Sequence, residues 1–178
     1  DQIDEQNLLK SYGNLICKEH RDNALKIATK QKYDVAILDD GLQDKSLNYN
    51  ITIACFNSSD GIGNSFLIPS GPLRENISEI KNYDAVFLNG EKNNKKFKKY
   101  LKKINNDINI FEAKYVPINL RSFNLKKNFL FFCGLGNPSE FERTLIKYKF
   151  KIKEKFVFPD HYNFSKSDIV NLKKIAKR

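Results

Sequence analysis

The stretch Val35-Ala-Ile-Leu-Asp-Asp-Gly-Leu-Gln43 decides the fold class of this 178-residue chain. A short apolar run ends in two adjacent carboxylates and a glycine, which predicts a buried strand over residues 35–38 followed by a turn. Open α/β sheets bind ligands at the carboxyl ends of their strands, so Asp39 and Asp40 are candidate ligand-binding residues. The alternative is a strand that simply ends in a polar turn.

Similar apolar runs recur along the chain and are separated by segments with helical periodicity, which predicts an α/β fold with mainly parallel sheets and flanking helices. The polar, basic stretch 117–127 predicts a boundary between two lobes, 1–120 and 121–178. The further predicted strands are 51–56, 85–88, 108–116 and 129–132, and the predicted helices are 21–31, 139–148 and 165–176.

The composition narrows the class of protein. A net charge of +10, from 31 basic and 21 acidic residues, favours a polyanionic partner, either nucleic acid or an anionic membrane surface. No apolar run is long enough to span a bilayer, and the first residues are not signal-like. Cys17, Cys55 and Cys133 lie far apart in apolar stretches, so we expect buried free thiols in a reducing compartment.

The lysine-rich segment 92–103 carries Phe97, Tyr100 and Leu101 at helical spacing. This pattern predicts an amphipathic surface helix with a solvated basic face. A dedicated anion-binding site on the same face is the alternative.

Two loops contain residues suited to phosphate and metal chemistry. We call residues 39–44 the acidic turn; its first two carboxylates resemble those of a Walker B strand, where a carboxylate holds Mg²⁺ against the nucleotide phosphates. We call residues 68–75 the arginine loop; it ends in Arg74 and Glu75, and the planar fork of arginine suits phosphate. A loop that leads into a helix at 75–81 with a surface ion pair is the alternative.

The segment Phe158-Pro-Asp-His-Tyr162, which we call the histidine turn, contains one of the two histidines. A histidine oriented by a carboxylate can take a proton from a hydroxyl near neutral pH. We interpret His20 as structural. The stretch Cys133-Gly-Leu-Gly-Asn-Pro138 predicts a tight strand-to-helix turn, capped by Asn137, rather than a nucleotide site.

In order along the chain, Asp4-Glu5, Asp39-Asp-Gly-Leu-Gln43, Gly63-Asn64, Pro69-Ser-Gly-Pro-Leu-Arg-Glu75, Phe132-Cys-Gly-Leu-Gly-Asn-Pro138 and Phe158-Pro-Asp-His161 resemble the successive motifs of the tetraacyldisaccharide 4′-kinases. The resemblance covers nearly the whole chain. The pair formed by the acidic turn and the arginine loop is distinctive, although each motif alone is not.

The resemblance implies a two-lobed, P-loop-related kinase that transfers the ATP γ-phosphate to the 4′-hydroxyl of tetraacyldisaccharide 1-phosphate and so makes lipid IVA. It implies Asp4 as catalytic base, with His161 paired to it. The remaining implied site residues are Asp39, Asp40 and Glu75 for Mg²⁺, and Arg74, Gln43 and Asn64 for phosphate or substrate.

The chain departs from the family pattern at Ile3, Gln6, Ser70 and Asn76, which surround the chemistry. It contains no Gly-x-x-Gly-x-Gly-Lys-Thr type phosphate loop and no Thr-Thr-Glu-Lys-Asp type segment, both expected in this family. We therefore expect a piece of a longer kinase, inactive by itself.

The resemblance also implies where the kinase works and what it contacts. The acceptor carries four acyl chains, so we expect peripheral attachment to the anionic cytoplasmic face of the inner membrane, and no nucleic-acid partner. Two alternatives stay open: an inactive fragment or binding subunit that needs a separate P-loop chain, and a basic nucleic-acid-binding module.

Overall fold

A computed structural model describes residues 3–177, and their side chains from Gln6 onward. The chain forms two compact units. One spans Tyr12–Val116, and the other combines the segment that ends at Ser11 with the chain from Pro117 onward. Helix α1 covers Ile3–Tyr12. The lobes predicted at 1–120 and 121–178 stay a prediction.

The unit Tyr12–Val116 is built on a three-stranded parallel sheet with the order β1-β2-β3. The strands β1, β2 and β3 are Ile53–Asn57, Ala85–Asn89 and Asn109–Ala113. Helix α2 covers Arg21–Lys30, a 3₁₀ helix covers Ile77–Asn82, and α3 covers Lys95–Ile104. These bounds lie close to the predicted strands and helices, with a 3₁₀ helix in place of the helix at 75–81.

One face of this sheet packs against α3 and the 3₁₀ helix. Phe97 and Leu101 of α3 are buried with Val86 and Leu88 of β2, because α3 carries apolar residues on one side and lysines on the other. The Asn94 side chain caps α3 by accepting a hydrogen bond from the Phe97 backbone N–H at 3.1 Å, which satisfies one of the unpaired donors of the first turn.

The strand predicted at 35–38 is wrong. These residues form no strand, and Val35 and Ile37 are 75% and 94% exposed. A strand is stable when a neighbouring strand takes up its backbone hydrogen bonds. Among residues 3–177 no strand pairs with this segment, so its apolar side chains by themselves do not fix it in a sheet.

The second unit contains a two-stranded parallel sheet, with β4 at Asn128–Cys133 and β5 at Lys151–Val157. A short 3₁₀ helix covers Leu120–Ser122 before β4. Helix α4, Pro138–Lys147, connects the two strands and α5, Lys166–Ala176, follows them. Phe123, Phe129 and Phe150 pack edge to face at one end of the sheet, where such ring pairs add to the burial of apolar area.

All strand pairs are parallel, which confirms the predicted α/β class with mainly parallel sheets. The prediction of three buried cysteines is wrong: Cys133 is buried, whereas Cys17 and Cys55 are exposed. Cys55 follows the buried Ala54 in β1, so its side chain lies on the face of the strand opposite to the core around α3. Within residues 3–177, no helix has the length and apolar character needed to cross a bilayer.

Candidate active site

Side chains from outside the acidic turn hold its backbone in place. The Arg21 guanidinium donates hydrogen bonds to the carbonyl oxygens of Asp39, at 3.3 Å, and of Asp40, at 2.9 Å. The Tyr49 hydroxyl lies 2.7 Å from the carbonyl oxygen of Gly41 and donates to it. Asp40 has a φ of +53°, a left-handed conformation that non-glycine residues adopt rarely.

The arginine loop depends on a glycine and an asparagine. A Cβ atom on Gly71 would lie 2.2 Å from the Asn64 Oδ1 and 2.3 Å from the Phe66 carbonyl oxygen. The Asn64 side chain donates to the Ser70 carbonyl oxygen at 2.8 Å and accepts from the Phe66 N–H at 3.1 Å. Asn64, predicted to bind phosphate or substrate, therefore holds the loop closed in this structure.

An ion pair joins the acidic turn to the arginine loop. The Arg74 Nη1 lies 2.9 Å from the Asp40 Oδ2, and the two side chains are 55% and 53% exposed. An exposed pair of this kind contributes about 0–1 kcal/mol to stability. The ion pair thus contributes little to stability, and both charged groups stay accessible to a ligand.

Glu75 is oriented by a tyrosine. The Tyr83 hydroxyl donates a hydrogen bond to the Glu75 Oε1. Partial burial, and then this carboxylate, raise the pKa of Tyr83 above its ordinary value, so the hydroxyl stays a donor at physiological pH. Tyr83 also packs against the core of its unit, which anchors the end of the arginine loop to the sheet.

The predicted Mg²⁺ ligands supply suitable chemistry but do not form a complete cage. Among residues 3–177, no group of three or more His, Cys, Asp and Glu side chains is arranged to hold a metal ion. Magnesium in kinases is typically bound by one or two carboxylates together with phosphate oxygens and water. The exposed carboxylates of Asp39 and Asp40 fit that smaller role, and the assignment of Asp39, Asp40 and Glu75 stays a prediction.

The histidine turn packs against the glycines that follow β4. A Cβ atom on Gly134 would lie 3.0 Å from the Pro159 carbonyl oxygen, and one on Gly136 would lie 2.9 Å from the Asp160 Oδ2. His161 has a φ of +54°, and its Nε2 lies 3.9 Å from the Asp160 Oδ2. The two glycines therefore make room for the histidine turn, Gly134 for its backbone and Gly136 for the Asp160 side chain.

The structure brings together some predicted site residues. Asp40 and Arg74 are in contact, while Gln43 is exposed within the acidic turn. The side chain of Asp4 lies outside the described residues, so its pairing with His161 stays a prediction.

For three residues that contact the site, no motif or spacing in the sequence indicates the contact. Arg21, Tyr49 and Tyr83 contact residues 18 to 19, 8 and 8 positions away, respectively. Such contacts depend on how the loops fold back in space. The spacing of residues along the sequence does not reveal this. His20, next to Arg21, precedes α2 and makes no side-chain cap.

The sequence matches the family model described as LpxK, tetraacyldisaccharide-1-P 4′-kinase, over residues 4–178. The chain belongs to this family. The tetraacyldisaccharide 4′-kinases of Pelagibacter ubique and Rickettsia typhi are 45% and 36% identical to it, each over 98% of the chain and over 57% and 53% of their own length.

A solved kinase of the family shares the fold. The crystal structure of LpxK from Aquifex aeolicus in complex with ATP aligns with a TM-score of 0.54 and 26% identity, covering 82% of this chain and 47% of that one. The chain spans about half the length of the curated relatives it matches.

Proposed function

We propose that the protein containing this chain is a tetraacyldisaccharide 4′-kinase. It transfers the γ-phosphoryl group of ATP to the 4′-hydroxyl of a tetraacylated disaccharide 1-phosphate. The relatives' names support the reaction, and the ATP in the Aquifex aeolicus complex supports the donor. Because the chain spans half of its relatives' length, the proposal concerns the kinase as a whole.

The contact between Asp40 and Arg74 carries this proposal. It joins the two motifs whose combination is distinctive of the family, and it leaves both charged groups exposed. In such an exposed pair, the carboxylate can leave the guanidinium to bind a metal ion, and the guanidinium can leave the carboxylate to bind phosphate. Arg74 would then bind phosphate oxygens through its planar fork.

Bound Mg²⁺ would neutralise charge on the phosphates, and Asp39 and Asp40 are the residues that would hold it. Arg74 would position the phosphates, and Glu75 would be held in place by Tyr83. Asp4, assisted by His161, would accept the proton of the 4′-hydroxyl. Most of the catalytic effect would come from positioning and from charge neutralisation.

A chimaera tests the proposal. This chain replaces the matching segment of the Pelagibacter ubique kinase, and phosphate transfer from ATP to the tetraacyldisaccharide 1-phosphate is measured. We expect turnover by the chimaera and none by the 178-residue chain alone, which has no phosphate-binding loop in its sequence.

Substitution of Arg74 links the activity to the proposed site. Arg74→Gln in the chimaera should lower kcat/KM by about 10² to 10³, the usual effect of removing one group that stabilises transition-state charge. Lys26→Gln, which removes an exposed ion pair within α2, is the matched control. A folded chimaera without turnover would refute the proposed function, and the binding-subunit alternative would then stand.

We also propose that the kinase works on the anionic cytoplasmic surface of the inner membrane. Its acceptor's acyl chains are costly to remove from the bilayer. Helix α3 supplies a basic surface in the described part of the chain. The exposed lysines on it are Lys95, Lys96, Lys99, Lys102 and Lys103.

The lysines of α3 differ in their exposure and in their contacts. Lys98 is only 26% exposed and pairs with Glu112 at 3.0 Å, and the Lys102 ammonium donates to the Asn106 carbonyl oxygen at 2.7 Å. The remaining exposed lysines lie on the side of the helix opposite to Phe97 and Leu101. Lys95, Lys96, Lys99 and Lys103 therefore form the lysine stripe.

Vesicle binding tests the lysine stripe. Each lysine near an anionic bilayer contributes about 1 kcal/mol, so replacing all four by Gln should weaken binding of the chimaera to phosphatidylglycerol-rich vesicles by about 10² to 10³. The matched control replaces four exposed lysines of the same unit, Lys18, Lys30, Lys32 and Lys45.

Equal loss in both quadruple variants would refute a specific membrane-facing stripe. Tight, salt-sensitive binding of an oligonucleotide that requires the lysine stripe, together with no vesicle binding, would favour the nucleic-acid alternative.

A further inference from the structure

The acidic turn lies at the end of a segment that has no sheet to hold it. Residues 35–38 form no strand and pair with none of the described strands, and residues 35–37 are exposed. A turn at the end of a strand normally inherits its direction from the strand's hydrogen bonds. In this chain, side chains from other segments must provide the restraint.

Arg21, the first residue of α2, makes most of the contacts that restrain the acidic turn. One guanidinium nitrogen, Nη2, donates to the carbonyl oxygens of both Asp39 and Asp40. The other, Nη1, lies 3.4 Å from the Asp44 Oδ2 at the far end of the turn. The hydrogen bonds of Asp44 to Ser46, and next its contact with Arg21, lower the pKa of Asp44, so the turn is held at both ends by charged contacts.

Tyr49 restrains the next peptide. Its hydroxyl donates to the Gly41 carbonyl oxygen and lies 3.1 Å from that of Asp44. Gly41 is buried, and a Cβ atom there would lie 3.3 Å from the Tyr49 hydroxyl and 3.2 Å from the Leu38 Cβ. Three successive carbonyl groups, those of Asp39, Asp40 and Gly41, are thus fixed from outside the turn.

Fixing these three carbonyl groups restrains the backbone from which the Asp39 and Asp40 side chains project. Asp40 keeps its left-handed φ of +53° only while its surroundings enforce it. The carboxylate of Asp40 already meets Arg74 in this arrangement. Loss of the restraint would let the peptide rotate and carry the carboxylate away.

We propose that Arg21 and Tyr49 are positioning residues that set the direction of the Asp39 and Asp40 carboxylates toward Mg²⁺ and the nucleotide phosphates. This inference rests on the proposed kinase function. Arginine is needed for it because a planar fork reaches two carbonyl oxygens and a carboxylate at once, whereas the single ammonium of lysine does not match that geometry.

The test uses the chimaera with Arg21→Gln, Arg21→Lys or Tyr49→Phe. We measure the Mg²⁺ concentration for half-maximal rate, and Mn²⁺ binding in the presence of ATP by electron paramagnetic resonance. Loss of an outer contact to a metal-binding group typically weakens metal affinity by about 10- to 100-fold. Arg21→Gln should lie in that range, Arg21→Lys should restore part of the loss, and Tyr49→Phe should give a smaller shift of the same sign.

Lys26→Gln, on the same helix, is the control and should change neither readout. If Arg21→Gln raised the KM for the acceptor while Mn²⁺ binding stayed at the wild-type level, Arg21 would be a substrate contact and the inference would be overturned. Unchanged Mn²⁺ binding in Tyr49→Phe, with an unchanged melting temperature, would also overturn it. Failure of the proposed function is distinct, because the unmutated chimaera would then transfer no phosphate.

Discussion

The two candidate regions are held in place in opposite ways. In the acidic turn and arginine loop, charged side chains contact each other and neighbouring polar groups, as Asp40 does with Arg74 and Glu75 with Tyr83. In the histidine turn, the backbone packs against Gly134 and the Asp160 side chain packs against Gly136, while the His161 side chain is 52% exposed. Charged side-chain contacts join the two loops of the first region, whereas close packing against two glycines holds the second.

Because of this difference, we expect a substitution to have different consequences in the two regions. In the first region, changing one side chain also releases its neighbours, so binding and positioning are lost together. In the histidine turn, the packing of the backbone against Gly134 remains when His161 is substituted, so the main loss is the proposed chemistry.

The largest effect is expected at His161. In the chimaera, His161→Ala should lower kcat by about 10² to 10⁴, the contribution of a positioned base, while ATP binding measured by calorimetry is retained. His20→Ala is the control, because that side chain makes no cap to α2.

The double variant sharpens this prediction. Residues that act as a unit are non-additive, so Asp4→Ala with His161→Ala should be little slower than the slower single variant. Losses that multiply, or a near-normal kcat in His161→Ala, would return His161 to a structural role.

The next effect concerns the arginine loop. Gly71→Ala would place a Cβ atom 2.2 Å from the Asn64 side chain and 2.3 Å from the Phe66 backbone, so the loop must shift. Overpacking of this kind costs about 1–3 kcal/mol, and we expect that loss in the free energy of unfolding of the chain, measured with urea. Gly13→Ala is the matched control, since no atom lies within 4 Å of the added carbon. Equal midpoints for the two variants would show that the loop is not closed as described.

A smaller effect is expected at Tyr83. In the chimaera, Tyr83→Phe removes the hydrogen bond to Glu75 and should raise the Mg²⁺ requirement about tenfold. Because the pKa of Tyr83 is raised in the folded protein, the bond stabilises the fold fully below the unfolded pKa of about 10. That stabilisation is lost as the pH rises through the folded value, so unfolding curves of wild type and variant should converge only at strongly alkaline pH. A constant difference at all pH values would contradict the assignment.

Strands β1 to β4 are predictable because each is a short apolar run between polar turns. Residues 35–38 show the same pattern and form no strand, since a strand also needs a partner that its own sequence does not reveal. Strand β5 went unpredicted for the opposite reason. Three of its residues, Lys153, Glu154 and Lys155, are consecutive and charged, and an exposed edge accepts such residues.

The residues of the candidate site also fall into two groups, those that the sequence reveals and those that it does not. The residues proposed to carry the chemistry lie in short motifs that the sequence displays. The residues that hold them, Arg21, Tyr49 and Tyr83, reach them through space from other segments. Side-chain to carbonyl contacts of this kind leave no periodicity, and residue type alone does not distinguish them from ordinary surface residues.

The smallest effect is expected in α5, which adjoins the histidine turn without belonging to it. The Ser165 hydroxyl accepts a hydrogen bond from the Asp168 N–H at 3.1 Å, and the Asp168 carboxylate accepts one from the Ser165 N–H at 2.8 Å. This reciprocal cap predicts that Ser165→Ala lowers the free energy of unfolding of the chain by about 1 kcal/mol. Ser139→Ala, in the first turn of α4 but not at its cap, should have a smaller effect.

The pH dependence and the activity complete the test at α5. The Ser165 hydroxyl lowers the pKa of Asp168, so their interaction stabilises the fold above the unfolded pKa of about 3.9 and is lost as the pH falls through the lower folded value. The gap between wild type and Ser165→Ala in urea unfolding should therefore narrow in acid. Since the cap fixes a helix and not the imidazole, kcat of the chimaera should change less than twofold, against the about 10² or more expected for His161→Ala. A comparable loss of kcat in both variants would show that the position of α5 controls His161, and that the backbone of the histidine turn is not set by the glycines alone.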